Sequence, residues 1–406
     1  MTDLAEPATR DDTFPLARTC PFAPPPAYEK LREAGPVHRV TLQSGQEAWA
    51  VTRLEDVRTV LNDPRFSSDR FNPGFPILTR EGRPQRRRFT ASLINMDPPE
   101  HGAARREVVG EFTVKRMKAL QPRIQQIVDE HIDAMLAGSK PADLVSALSL
   151  PVPSLVICEQ LGVPYAEHHF FQSRSSTLLN REVTQEARMQ AVEEMQNYLD
   201  ELVTTKEANP TDDLLGRQIL KQREEHGDVA HDELVSLAFL LLLAGHETTA
   251  NMISLGTVAL LENPDQLEII KNDPGKTLDA VEELLRYFTI AEFATSRVAT
   301  EDVEIGGQLI REGEGVLGLS YSGNRDETAF ENADALDLER GARHHVAFGF
   351  GPHQCLGQNL ARMELQIVFD TLFRRIPDLK LAAPVDQLPF KHDSSIFGLY
   401  CLPVTW

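Results

Sequence analysis

Phe348-Gly349-Phe350-Gly351-Pro352-His353-Gln354-Cys355-Leu356-Gly357 is the stretch on which the reading of this chain turns. Its glycines allow positive φ and close backbone approach. The apolar run Leu356 to Phe373 that follows reads as a helix. Cys355 then sits where that helix begins, and free N–H groups and the positive end of the dipole favour a thiolate there. Such a sulfur can serve as an axial ligand to haem iron, as another metal's ligand or as a nucleophile. An inert buried thiol is the commoner case for cysteine in general.

Outside this loop, composition narrows the choice. The 406 residues allow two or three domains on length alone and can enclose a large internal ligand. Apolar residues make up 41% and charged residues 25%, as in a globular protein. A net charge of -20 disfavours nucleic acid and anionic membrane as partners. Cys20, Cys158, Cys355 and Cys401 show neither CxxC spacing nor a disulfide framework, which suits a reducing cytoplasm. Met1 to Asp12 is polar and lacks the apolar core of a signal peptide.

The periodicity predicts a mainly α chain with a minor β portion near 35–64, 297–320 and 379–402. Strands are expected at Val37–Leu42, Ala48–Val51, Arg297–Ala299, Val303–Ile305, Gln308–Ile310, Gly315–Leu319, Leu379–Leu381 and Ile396–Leu402. Gly306-Gly307 forms a hairpin turn between two of them. Residues 65 to 95 lose all pattern, with five Pro and Gly breakers and the run Arg86-Arg87-Arg88, and read as a lid or substrate-contacting loop. Helical patterns fill 100 to 288. The longest, His231 to Asn263, has too short a continuous apolar run to cross a membrane and is expected through the protein core.

Inside that longest helix, Ala244-Gly245 is followed by His246, Glu247, Thr248 and Thr249. An acid and two hydroxyls in a buried helix cost free energy unless something satisfies or uses them. A threonine bonded back to its own helix is the bland alternative. The small pair leaves room for a flat cofactor or ligand. Glu283 and Arg286 lie three apart on one helical face, a spacing that on a surface is worth little. His101 and Arg105 lie four apart on the first turns of another helix.

Together these motifs resemble the cytochrome P450 family over nearly the whole chain, with the soluble actinomycete group the nearest match. The resemblance implies a single domain over 1–406, with a triangular helical part enclosing haem b and a small β-rich part. It makes Cys355 the axial iron ligand, with Ala244, Phe348, Gly349 and Gly357 also against the cofactor. His101, Arg105, Arg297 and His353 become contacts to the haem propionates. Glu247 and Thr248 become the acid–alcohol pair that delivers protons to bound O2. Glu283, Arg286 and Arg340 become a structural triad bracing the cysteine loop. The implied activity is insertion of one oxygen atom into a C–H bond of a hydrophobic small molecule by a monomeric cytoplasmic enzyme.

The chain carries no Rossmann, flavin or iron–sulfur motif, so electrons are expected from a separate ferredoxin and its reductase. Arg105, Arg106, Arg116, Lys118, Arg343 and Arg362 are the candidate face for it. Ile94, Leu178, Leu179, Leu240, Leu243, Ala244, Ile290, Phe293, Ile396 and Phe397 are candidate substrate contacts, though each is as readily a plain core residue. The competing readings are a haem-thiolate isomerase or dehydratase, a haem sensor and a cysteine hydrolase. The first two leave Glu247-Thr248 idle, and the last leaves the apolar central helix unexplained.

Overall fold

The computed structural model describes residues 13–78 and 92–406. The Arg86-Arg87-Arg88 run and the middle of the expected lid, 79–91, lie outside them. A helix of 32 residues, His231–Glu262, runs through the interior with 20 of its residues buried. It is long and apolar enough to span a membrane, yet more than half of its most apolar window is buried by other helices. Pro151–Leu161, Gln185–Ala208 and Gln358–Arg375 pack around it. One continuous core joins Met252, Ile253 and Leu255 of the central helix to Leu284, Leu365 and Phe369 of two others.

Local chemistry sets many helix ends. Thr113, Thr184 and Asp213 each accept an N–H from the first turn of the helix that follows. Gly162 and Gly227 end two helices in the left-handed conformation. The helix Pro264–Asn272 is one that periodicity misses: Pro264 reads as a stop but occupies the first turn of a new helix, where its missing N–H costs nothing. Leu144–Leu150, expected as an ordinary helix, forms a π-helical turn over Val145–Ser149.

Strands from distant parts of the chain make a five-stranded sheet in the order Val37–Thr41, Glu47–Val51, Gly315–Gly318, Ser296–Ala299, Phe66–Ser67. Only the Glu47–Val51 and Gly315–Gly318 pair is parallel. The Val303–Ile305 and Gln308–Ile310 hairpin turns on Gly306 and Gly307, both at positive φ as expected. The strand expected at Ile396–Leu402 is absent. Those residues belong to a looped segment whose amides bond other elements, and the strand forms instead at Pro403–Thr405, between Ala142–Asp143 and Lys380–Leu381.

Candidate functional site

The cysteine loop folds as its glycines allow. Gly349 and Gly351 have φ of 71° and 69°, and a Cβ on Gly351 would lie 2.8 Å from the Leu61 carbonyl. The Cys355 amide donates to the Phe348 carbonyl at 2.8 Å, closing the loop, and the helix starts three residues later at Gln358. Cys355 keeps accessible surface although many protein atoms surround it. Burial pushes the thiol up; N–H groups of Gly357 and Gln358, with Arg105 and Arg362, oppose that without overcoming it. This corrects the expectation that the helix start alone favours a thiolate. A metal cation would complete the stabilisation, and a free nucleophile would not have it.

Beneath the loop lie two buried ion clusters. Arg286 donates to both Glu283 oxygens at 2.7 Å and to the carbonyls of Asn324 and Ala333 at 2.7 Å. Arg340 Nε reaches Glu283 at 3.2 Å, so the expected triad assembles. It clamps the backbone of 324–335, and from there Asn324 accepts the Val346 amide at 2.8 Å, just before the loop. The second cluster, His345–Glu282–Arg362, was missed by sequence reading. His345 Nε2 donates to Glu282 at 3.1 Å while its Nδ1 accepts the Ala347 amide, which makes it the neutral tautomer. Arg362 Nε donates to the same acid at 2.5 Å and its guanidinium lies 4.6 Å from the Phe348 ring centroid. Burial alone would raise the Glu282 carboxyl, but these two donors hold it at about 2. Arg362, expected on a partner face, is thus engaged beneath the loop.

His101, Arg105, Arg297 and His353 come together beside the loop. His101 and His353 stack with centroids 3.9 Å apart. Arg105 Nη2 donates to the Gln354 carbonyl at 2.6 Å, and Arg297 to the Ser296 carbonyl at 2.8 Å. Among the described residues none of the four makes an ion pair, and the Nε2 atoms of both histidines are buried without partners. Burial, with Arg70 adding repulsion, lowers Arg297 to about 10; burial, then Arg297, His101 and Arg105, lowers His353 to about 3. Crowded, desolvated bases with unused donors need anions. Two carboxylates of a bound group, as in haem, fit that need. Gly357 adds an open side next to the sulfur, since a Cβ there would meet nothing within 4 Å.

On the central helix, Ala244 is exposed between half-buried Leu243 and Gly245, with half-buried Leu240 and Thr248 one turn either side. Gly245 serves helix packing and gives no room to a cofactor: a Cβ there would lie 2.9 Å from Ile157 Cγ1. The Thr248 hydroxyl donates to the Ala244 carbonyl at 2.8 Å. Glu247 is buried and does not bond Thr248. Its Oε2 accepts from Lys391 Nζ at 3.0 Å and from Asn251 Nδ2 at 3.3 Å. Lys391, 144 residues away, carries no sequence signal.

The candidate substrate contacts divide. Ile94, Leu179, Leu240 and Leu243 are half-buried and belong to none of the packed cores, unlike their neighbours Leu237 and Phe239. Ile290 and Phe397 are buried core members, and Phe293 packs at a core edge. All three also line a cavity of about 500 Å³ with Arg18, Arg181 and Lys391.

A helical body around one long buried helix, with a lone cysteine in a glycine loop facing a cluster of unpaired bases, defines a haem-thiolate class of protein. Comparison agrees: the family model described as Cytochrome P450 matches residues 160–273 and 277–397. Pentalenic acid synthase of Streptomyces avermitilis is 51% identical over all of both chains, and Cytochrome P450 105A3 of Streptomyces carbophilus 49% over all of both. Among solved structures, cytochrome P450 MoxA from Nonomuraea recticatena is 59% identical, covering 97% of this chain and 98% of its own, with a TM-score of 0.88. The chain belongs to the cytochrome P450 family and is an oxidoreductase of its monooxygenase type.

Proposed function

We propose that this chain, read as one domain throughout, is a cytoplasmic, monomeric haem b monooxygenase that hydroxylates a hydrophobic small molecule with electrons from a ferredoxin. The observation that carries this reading is the closed Cys355 loop beside four bases that make no ion pair among the described residues. Cys355 would ligate the iron, with Phe348, Gly349, Gly357 and Ala244 against the ring, and His101, Arg105, Arg297 and His353 would hold the propionates. The bound group supplies oxygen activation and one-electron chemistry.

The chain's own residues do the rest. Glu247 carries protons inward, and Thr248, whose oxygen keeps acceptor capacity after donating to Ala244, positions the last proton. Ile94, Leu179, Leu240, Leu243, Ile290, Phe293 and Phe397 hold the substrate and exclude water. Relatives named vitamin D3 dihydroxylase and pentalenic acid synthase, and a related structure solved with filipin I, support an apolar or amphipathic natural product as substrate.

The ferrous carbon monoxide adduct tests the ligation: a Soret band far to the red of histidine-ligated haem is expected, and its absence in folded holoprotein overturns the reading. Candidate substrates come from a spin-state screen. With ferredoxin and reductase added, the product should gain one oxygen atom from O2; an isomer of unchanged composition would indicate the isomerase instead.

A further inference from the structure

Nothing in the proton-donor reading of Glu247 requires the residue that holds it. The Lys391–Glu247 pair is buried, with the two side chains 12% and 6% exposed. Lys391 stands on the segment 389–400, which leaves the three-stranded sheet and folds back over the central helix. Its backbone rests directly on that helix: a Cβ on Gly398 would lie 1.9 Å from Asn251 Oδ1, and Asn251 itself bonds Glu247. The Lys391 amide donates to the Gly398 carbonyl at 2.8 Å, which fixes the lysine's position to this contact.

The same segment grips the candidate substrate contacts. The Ser395 amide donates to the Leu179 carbonyl at 2.8 Å and the Phe397 amide to the Ile290 carbonyl at 3.1 Å. Phe397 and Ile290 line the 500 Å³ cavity together with Lys391. Lys391 therefore touches the cavity at one end and the acid at the other. Tyr400, 5.4 Å from the ammonium to its ring centroid, covers the lysine, and Asp393 engages the Tyr400 hydroxyl and the Asn180 amide, away from the pair. His246, next to the acid in sequence, bonds the Leu242 carbonyl. Among the described residues, Lys391 is thus the cation paired with Glu247.

We propose that Lys391 is a positioning residue that keeps Glu247 turned away from Thr248, and that displacement of the 389–400 segment by a ligand in the cavity frees the acid. Held by Lys391 and Asn251, the Glu247 carboxyl is engaged on the side away from Thr248. Once the pair opens, the carboxylate takes a proton from solvent in the cavity and passes it toward the Thr248 oxygen, returning to its ionised form. A ligand shifts this equilibrium only by binding the displaced segment more tightly than the resting one. A ligand too large for the resting cavity of about 500 Å³ meets that condition, since it fits against Phe397 and Ile290 only with the segment moved aside. The proposal rests on Glu247 as proton donor.

The test uses ligand-free holoenzyme with ferredoxin and reductase. Lys391→Met should raise oxygen consumption and peroxide release about tenfold, whereas Lys391→Arg should stay within about twofold of the parent. Gly398→Ala, which lifts the segment off Asn251 while leaving the Lys391 side chain unsubstituted, should reproduce the rise. Hydrogen exchange at the Ser395 and Phe397 amides should quicken in Gly398→Ala, a readout independent of turnover. Both rises should vanish when Glu247→Gln is added. Unchanged rates in Lys391→Met and Gly398→Ala, with Glu247→Gln itself slow, overturn the proposal and leave the proton-donor reading standing. Wild-type turnover in Glu247→Gln removes that reading and the proposal with it. Melting curves verify folding, and if Lys391→Met fails to fold, the Arg and Gly398 variants decide.

Discussion

Glu282 shows how single charges under the cysteine loop set its tolerance of acid. Its folded value of about 2 lies below the ordinary 4.5, so the folded state binds the proton more weakly than the unfolded chain. The stabilisation is therefore complete above about pH 4.5 and is lost as pH falls toward 2, amounting to about 3 kcal/mol. We expect Glu282→Gln to flatten the melting temperature against pH in that window and to lower it at pH 7. Thr248→Ala belongs to the same scale. It should leave the carbon monoxide spectrum intact while diverting oxygen consumption from product to peroxide; unchanged coupling removes Thr248 from proton delivery. The cysteine loop and the polar break at Glu247 and Thr248 were legible because the chain carries each in a distinctive local pattern. Lys391 and the His345–Glu282 contact were not, because their partners lie 144 and 63 residues away.

At the scale of helices, close approach decides what small residues mean. The Gly245 side of the central helix lies against Ile157, so Gly245→Ala overpacks that contact and should cost about 1–3 kcal/mol. Adding Ile157→Val should recover part of it, measured by thermal melting. Glu364, on the helix after the cysteine loop, is buried against the central helix, and burial pushes its carboxyl up to about 8 against a hydrogen bond from Thr249. Here the folded state holds the proton more tightly than the unfolded chain, so stability falls as pH rises from about 4.5 to 8. Glu364→Gln keeps the shape without the charge and should raise the melting temperature more at pH 8 than at pH 5. Helical periodicity shows that residue 364 is on a helix; whether it faces solvent or a neighbouring helix depends on how that helix is rotated against the core.

For the whole molecule, the buried Glu283–Arg286–Arg340 cluster joins three stretches of chain and cannot lose one member cheaply. Glu283→Ala leaves two guanidinium groups without their acid and should cost about 3–5 kcal/mol, with loss of haem retention on heating. Long-range charge makes a further expectation. If an acidic ferredoxin docks despite the net -20, its affinity should drop steeply with salt, and reversing exposed Arg106 and Lys118 should weaken it. By itself the sequence determined the helical class, the hairpin at Gly306-Gly307, the cysteine loop and the polar break at Glu247 and Thr248 in the central helix. Those depend on local spacing, which propensity, glycine conformation and helix periodicity carry directly. Only the tertiary structure decided which cation holds Glu247, which face Gly245 serves, and that the chain's end folds over the central helix before pairing as a strand. Those contacts join residues far apart along the chain, and their free energy comes from burial and desolvation that exist only once the distant parts have met.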